Sequence, residues 1–291
     1  MARHTAALAA ATAATLLLPQ AAGCNASSPH PHSGLLPRLG LDPRPMVSLS
    51  ARDLAQIEQG NLWTKTAEVS GFGRGYGVQD IAAPREVIWK HVVDLRGYVG
   101  KAPKLTSLNV YSSERRGDQG GLQEVIEKAV YKVNVLPGYG YEYFVEHHAS
   151  PAQSTLVFFL DYEHCSDIED MMGKWYLQEH PTKQGWTRVF YQLDLKPWGH
   201  VPSVLKSFAA SRGLHSTIGW VKTHSERTQE RAAAAAGAEL AEPAALAAPP
   251  RGLEDATGWM PVALGCAAAA AAAAAIGGRR RSRSSAARRS C

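Results

Sequence analysis

Residues 71–78 read Gly-Phe-Gly-Arg-Gly-Tyr-Gly-Val, with a glycine at every second position. In an extended strand successive side chains point to opposite faces, so this spacing strips one face of its Cβ atoms. Glycine inside a strand marks a place where another backbone or a ligand comes close. The pattern therefore predicts a strand with something packed against its bare side. It does not predict a dinucleotide site. That fingerprint needs GxGxxG opening a helix, whereas the spacing here is GxGxGxG and Pro84 delays the helix. No cofactor is expected.

The segments that follow define a fold class. Residues 84–95 have proline in the first turn and Val87, Ile88, Val92 and Leu95 at helical spacing, which predicts a helix. Gly97 to Pro103 breaks it into a second short helix or turn. Strand-like runs then cover 105–114, 122–136, 139–148, 155–161, 174–180 and 187–196, separated by Pro137-Gly138, Ser150-Pro151 and Lys183-Gln184-Gly185. A closing helix is predicted over 201–227, with Val204, Leu205, Phe208, Leu214, Ile218 and Val221 on its apolar side. One strand, two short helices, six strands and a long helix make an α+β domain over residues 62–230. In it an antiparallel sheet of about seven strands curls around the last helix.

Several runs resemble a known group. Ile81-Ala82-Ala83-Pro84-Arg85-Glu86-Val87-Ile88-Trp89, then Asp94-Leu95 and Tyr98 before Pro103, look like the opening of START-like proteins, a group that includes polyketide cyclases and coenzyme Q-binding proteins. Phe159-Leu160-Asp161, Gly173-Lys174-Trp175-Tyr176-Leu177 and Thr187-Arg188-Val189-Phe190-Tyr191 are similar to that group's later strands. Trp198-Gly199-His200-Val201-Pro202 resembles the entry to its C-terminal helix. The resemblance implies a helix-grip fold with an apolar cavity between sheet and terminal helix.

Such a cavity would bind a hydrophobic small molecule: a lipid, isoprenoid quinone, pigment or polyketide. Tyr139, Tyr141 and Tyr143 share one strand face, with Phe144 opposite, and offer flat apolar surface with polar tips. The candidate cavity residues are Trp89, Tyr141, Tyr143, Phe158, Trp175, Tyr191, Leu205 and Phe208. Ordinary core packing is the alternative role for Trp89, Trp175 and Tyr191. No HExxH or GxSxG is present, and no histidine sits in a nucleophile or metal pattern, so no catalytic or metal residue is assigned. A cyclase or dehydratase using a cavity His or Tyr, such as Tyr143, His147 or Tyr191, is the second reading. Glu127, Lys128, Glu142 and Glu146 are expected to face solvent. The acidic stretch Asp161 to Asp170 is expected as a solvated loop, with Met171 and Met172 as an adaptable gate.

The ends of the chain differ from its middle. The formal net charge is +5, yet the stretch before Arg52 carries +2 and the stretch from Gly277 carries +6, leaving about −3 between them. Specific nucleic-acid binding is therefore not expected of the domain. Residues 1–51 read as a targeting segment, disordered or removed. An apolar run from Ala6 to Leu18 and the small residues Ala21-Ala22-Gly23 have the layout of a secretory signal, followed by a transit-like stretch. This suggests a plastid, with mitochondrion or secretion as alternatives. Ala21-Ala22-Gly23-Cys24 also approaches a bacterial lipobox. The four cysteines, Cys24, Cys165, Cys266 and Cys291, are scattered, and no disulfide framework is expected. Residues 231–258 read as a linker. Residues 259–276 are uncharged and about 27 Å long if helical, either an alanine-rich tail anchor or plain low complexity, before an Arg/Ser-rich end.

Overall fold

At Ser70-Gly71 the chain reverses on two residues of positive φ, 47° and 83°. That is the backbone of the tight hairpin turns whose twist suits flanking strands. The hairpin joins β1 (Trp63–Val69) to β2 (Phe72–Ile81), the strand that carries the alternating glycines. This computed structural model describes residues 24–117, 123–136, 139–199 and 214–241. After β2 come helix α2 (Arg85–Val93) and a 3-10 turn (Leu95–Gly97) capped by the Asp94 side chain. Six strands follow: β3 (Leu105–Gly117), β4 (Gln123–Leu136), β5 (Tyr139–Ser150), β6 (Thr155–Leu160), β7 (Asp170–Glu179) and β8 (Thr187–Lys196). All eight form one antiparallel sheet in the order β1-β2-β8-β7-β6-β5-β4-β3. The fold is α+β, a curved antiparallel sheet with a long C-terminal helix, as in helix-grip proteins. The strand beyond the expected seven is β1.

The C-terminal helix α3 (Leu214–Ala241) lies on the inner face. Its predicted first half, 201–213, is outside the described residues. It also runs past the predicted end at Arg227, because Ala232 to Ala236 continue it. Alanine has the highest helix propensity, and the residues expected to begin a linker at 231 are helical instead. Leu214 and Ile218 press on the bare side of β2. A Cβ placed on Gly77 would lie 2.0 Å from Ile218 Cδ1, and one on Gly75 would lie 3.4 Å from Leu214. The glycine stripe thus meets a helix. Gln79 sits on the same face and donates from Nε2 to the Ile218 carbonyl (2.9 Å).

The outer face is also covered, which the sequence did not announce. Helix α1 (Ala51–Glu58), started by a reciprocal Ser50–Asp53 capping box, buries Ile57 against Val78 and Phe190. Ahead of it, residues 24–50 run across the sheet as a strap. Leu36 packs with Phe72, Val157 and Met172. Asp170, fully buried, accepts from the Leu35 and Leu36 backbone N–H groups (2.5 and 2.8 Å) and from Tyr162 Oη (2.7 Å). Lys174 Nζ donates to the Asp42 carbonyl (2.7 Å). A disulfide joins Cys24 to Cys165, with the two Cα atoms 5.6 Å apart.

Three expectations are corrected here. Residues 24–50 are not a disordered extension, since their apolar and backbone groups complete the outer core; residues 1–23 are outside the described residues. Cys24 is paired, so it is neither free for a lipobox-type modification nor unrelated to Cys165. The acidic stretch is solvated only in part: Glu163 is exposed, but Asp161 is 2% exposed, and Asp170, Met171 and Met172 open β7 as buried residues. Tyr111 Oη (2.6 Å) and Lys128 Nζ (3.2 Å) donate to Asp161, giving its charge partners within the fold.

Two stability predictions follow from this packing. A Cβ on Gly173 would meet the Phe158 ring at 2.0–2.6 Å. Gly173→Ala should therefore cost about 1–3 kcal/mol in urea unfolding, and combining it with Phe158→Leu should cost less than the sum of the two single changes. The disulfide closes a sequence separation of 141 residues. Cys165→Ser should lower stability by about 3–5 kcal/mol, and adding reductant to the parent protein should reproduce the loss. A midpoint insensitive to both treatments would show that the strap is held without the bond.

Candidate functional site

Alternation on five strands brings a band of rings onto the inner face. On β5 the inward positions include Tyr143, Val145 and His147, and their partners across the ladders are Tyr131 on β4 and Phe158 on β6. Phe158 sits over Gly173 of β7, two positions from Trp175, which pairs with Tyr191 of β8. Tyr191 in turn faces Gly77 on β2. The rings touch in series. Tyr143 and Tyr131 stack at 5.4 Å, Tyr131 and His147 at 5.8 Å, His147 and Phe158 at 6.0 Å, and Phe158 and Tyr191 at 6.2 Å. Trp175 closes the series against Tyr191 at 4.5 Å. From the helical side, Trp220 of α3 meets Tyr98 edge-on at 4.9 Å.

The polar atoms of this band fall into two sets. Tyr98 Oη donates to the Val92 carbonyl (2.5 Å). Nδ1 of His147 lies 3.3 Å from the Glu127 carbonyl, which can only accept, so Nδ1 carries the proton and Nε2 accepts from Tyr131 Oη (2.9 Å). The hydroxyls of Tyr143 and Tyr191 pair with no described residue. They are two donors aimed from the sheet without a protein acceptor among the described residues.

Every titratable group in the band is neutral near pH 7. Desolvation lowers the His147 pKa to about 4, with the neighbouring His148 adding to the effect and the Glu127 carbonyl opposing it. Burial raises the phenols of Tyr131, Tyr143 and Tyr191 well above their ordinary range. Glu127 lies at the edge of this face, where it pairs with Arg96 (3.1 Å) and accepts from Ser113 Oγ (3.3 Å). An uncharged wall of rings with spare hydroxyl donors suits an apolar molecule carrying an acceptor.

Of the residues anticipated from sequence, Tyr143, Phe158, Trp175 and Tyr191 stand together in this band. Tyr141 shares its face but lies further along β5. There it lines an open cleft of about 250 Å³ with polar neighbours, including Thr106, Lys132 and Asp167. Trp89 is on α2, partly buried against the main core, and makes no ring contact with the band among the described residues. Leu205 and Phe208 lie outside the described residues. Tyr131, Tyr98 and Trp220 were not anticipated. Glu127 shares its parity on β4 with Tyr131, and its expected solvent-facing position is corrected: its side chain is 15% exposed at the edge of the inner face. The reading was right for Lys128, Glu142 and Glu146, which face outward and form ion pairs, Lys132–Glu142 (2.5 Å) and Lys128–Glu146 (3.4 Å) among them.

Solved structures of similar shape were found. They include a START superfamily protein from Mycobacterium smegmatis (16% identity, TM-score 0.43, covering 54% of this chain and 99% of that one). A STAR-related lipid transfer protein from Xanthomonas axonopodis is 13% identical (TM-score 0.43, 57% and 98% covered). The Zhui aromatase/cyclase from Streptomyces sp. R1128 is 14% identical (TM-score 0.42, 57% and 95% covered). No family model and no curated protein matches the sequence. The helix-grip fold is read from its own element order, strand register and terminal helix.

The buried imidazole yields a pH prediction. His147 titrates near 6.5 when unfolded and near 4 when folded, so between these values the unfolded chain binds the extra proton. Stability is then fully present above pH 6.5 and is lost as pH falls toward 4. At pH 5 the loss from this one group is about 2 kcal/mol. Urea unfolding of His147→Gln at pH 7 and pH 5 should show that much less acid sensitivity than the parent. An equal loss in both proteins would mean that His147 titrates normally in the fold.

Proposed function

We propose that the chain binds and carries a hydrophobic small molecule between the inner sheet face and its C-terminal helix. The ligand classes that fit are a lipid, isoprenoid quinone, pigment or polyketide. The observation that carries this reading is the uncharged ring band, in which the hydroxyls of Tyr143 and Tyr191 have no partner among the described residues. Burying a dozen ligand methylenes would contribute roughly 10 kcal/mol gross at ~0.8 kcal/mol each, before the cost of ordering the complex. A hydroxyl donor on the wall then orients the ligand more than it holds it.

A second reading, acid/base catalysis of the cyclase or dehydratase type, is favoured by one observation, the Tyr131–His147 hydrogen bond. An imidazole with a pKa near 4 is a weak base at pH 7, however, and general bases work best with a pKa near the operating pH. Binding is the better reading. The expected delivery to a plastid, and membrane contact through residues 259–276, belong to the same proposal and rest on sequence layout alone.

Native mass spectrometry of the purified, oxidised chain, followed by solvent extraction, tests the main reading. A reproducible apolar species should co-purify. Tyr143→Phe and Tyr191→Phe should each weaken its binding by roughly 3- to 10-fold with little change in stability, the worth of one hydrogen bond. A protein that is empty and takes up no apolar fluorescent probe would overturn it. Turnover abolished in His147→Gln with binding retained would favour the enzyme.

A further inference from the structure

Residues 25–27 are Asn-Ala-Ser, the N-x-Ser/Thr acceptor triplet for Asn-linked glycosylation, without proline in the middle. The sequence has asparagine at 25, 61, 109 and 134, and only Asn25 stands in such a triplet. A triplet alone is weak, since many are buried or never meet the transferase. Here the structure adds two independent observations.

The first is presentation. Asn25 is exposed and opens a turn in which Ser28 N–H donates to the Asn25 carbonyl (2.8 Å) and Ser27 N–H donates to Asn25 Oδ1 (3.0 Å). The carboxamide is therefore held by its oxygen, while no described residue accepts from its Nδ2. The turn is pinned on both sides. Cys24 is bonded to Cys165, and the Ala26 carbonyl lies 3.0 Å from His164 Nδ1. The strap runs on the outer face, so a bulky group on Asn25 projects away from the ring band.

The second observation is the compartment. The disulfide at the adjacent residue forms and persists where thiols are oxidised, as in secreted proteins and the lumen of the endoplasmic reticulum. That lumen is also where Asn-linked sugars are added. The apolar run from Ala6 to Leu18 has the layout that delivers a chain there. Neighbouring residues thus call independently for the same compartment.

We propose that Asn25 is an Asn-linked glycosylation site, modified as the chain passes through the lumen of the endoplasmic reticulum. In the step, Asn25 Nδ2 attacks C1 of the first sugar of a polyprenyl-diphosphate-linked oligosaccharide. The new C–N bond forms as the C–O bond to diphosphate breaks. Polyprenyl diphosphate leaves with the electron pair, and the amide gives up one proton to the transferase. No oxidant or reductant takes part. The glycan adds a bulky, solubilising group to the strap.

The test uses the full chain, residues 1–23 included, expressed in cultured eukaryotic cells. Gel mobility is compared before and after peptide N-glycosidase, and peptides are mapped by mass spectrometry without reduction. One glycosidase-sensitive step should appear. It should be lost in Asn25→Gln and in Ser27→Ala and kept in Ser27→Thr, with the thermal midpoint of the deglycosylated parent serving as the folding control. The unreduced map should join Cys24 to Cys165. An unmodified Asn25 peptide in a chain with that disulfide intact overturns the glycosylation site. Free thiols at both cysteines with an unmodified Asn25 overturn the lumenal route as well. Neither result bears on whether the inner face binds an apolar ligand, which is read separately by native mass spectrometry.

Discussion

The absence of side chains on Gly75 and Gly77 sets the distance between helix and sheet. Leu214 and Ile218 occupy the space that Cβ atoms on β2 would fill, so α3 lies close along that strand and against α2. A helix this close to one side of a curved sheet cannot also lie flat on the other. The rings of β4, β5 and β6 therefore have a different environment from the aliphatic contacts on β2. Tyr98 and Trp220 meet edge-on on the helical side. The glycine stripe is in this sense a spacer: it fixes where the helix packs tightly on β2.

Covering the outer face creates a second constraint. A sheet buried on one side places its alternate residues in water, yet here Asp80, Lys174, Arg188 and Asp194 are all buried on that outer side. Buried charges are costly unless paired and hydrogen-bonded. Arg188 grips Asp80 through two bonds (2.7 and 2.9 Å), and His180 adds a third (2.9 Å). Burial pushes the Asp80 pKa up, but Arg188 and then His180 outweigh it and hold the carboxyl below its usual value. Arg74 holds Asp194 in the same bidentate way (2.7 and 2.6 Å). Asp170 and Lys174 differ, because groups from the strap complete their bonding. Burial pulls the Lys174 pKa below its ordinary value, and Asp42 of the strap opposes that pull. Removing the strap would leave these two groups short of partners, which makes residues 24–50 part of the fold.

What the sequence made legible follows from where periodicity is informative. The glycine alternation, the proline-started helix and the strands from 105 to 196 emerged because period-2 and period-3.6 patterns report on a face that is simply buried or simply wet. The strap carries no period. Its Pro, Ser and His content matches a transit peptide, while its attachment depends on backbone N–H groups meeting Asp170 and on a cysteine 141 residues away. The same limit hid Tyr131. Glu127 at the edge of the inner face is tied to Arg96, so a charged residue lies on the same side of β4 as Tyr131 and blurs the alternation there. Four of the eight candidate cavity residues, Tyr143, Phe158, Trp175 and Tyr191, stand together on the inner face of β5 to β8.

The two faces are linked through β7. Its outward residues Asp170, Met172 and Lys174 hold the strap, and its inward residues Gly173 and Trp175 shape the ring band. Successive residues of one strand cannot move independently, since a shift of Lys174 carries Gly173 and Trp175 with it. Gly173 leaves no slack, because the Phe158 ring occupies the space of its missing side chain. Phe158 in turn stacks between the neutral imidazole of His147 and the ring of Tyr191. The disulfide at Cys165 lies five residues before β7 and anchors the strap that sits on that strand. Oxidation of two cysteines on the outer face is thus connected, through a single strand, to the ring positions of the inner face.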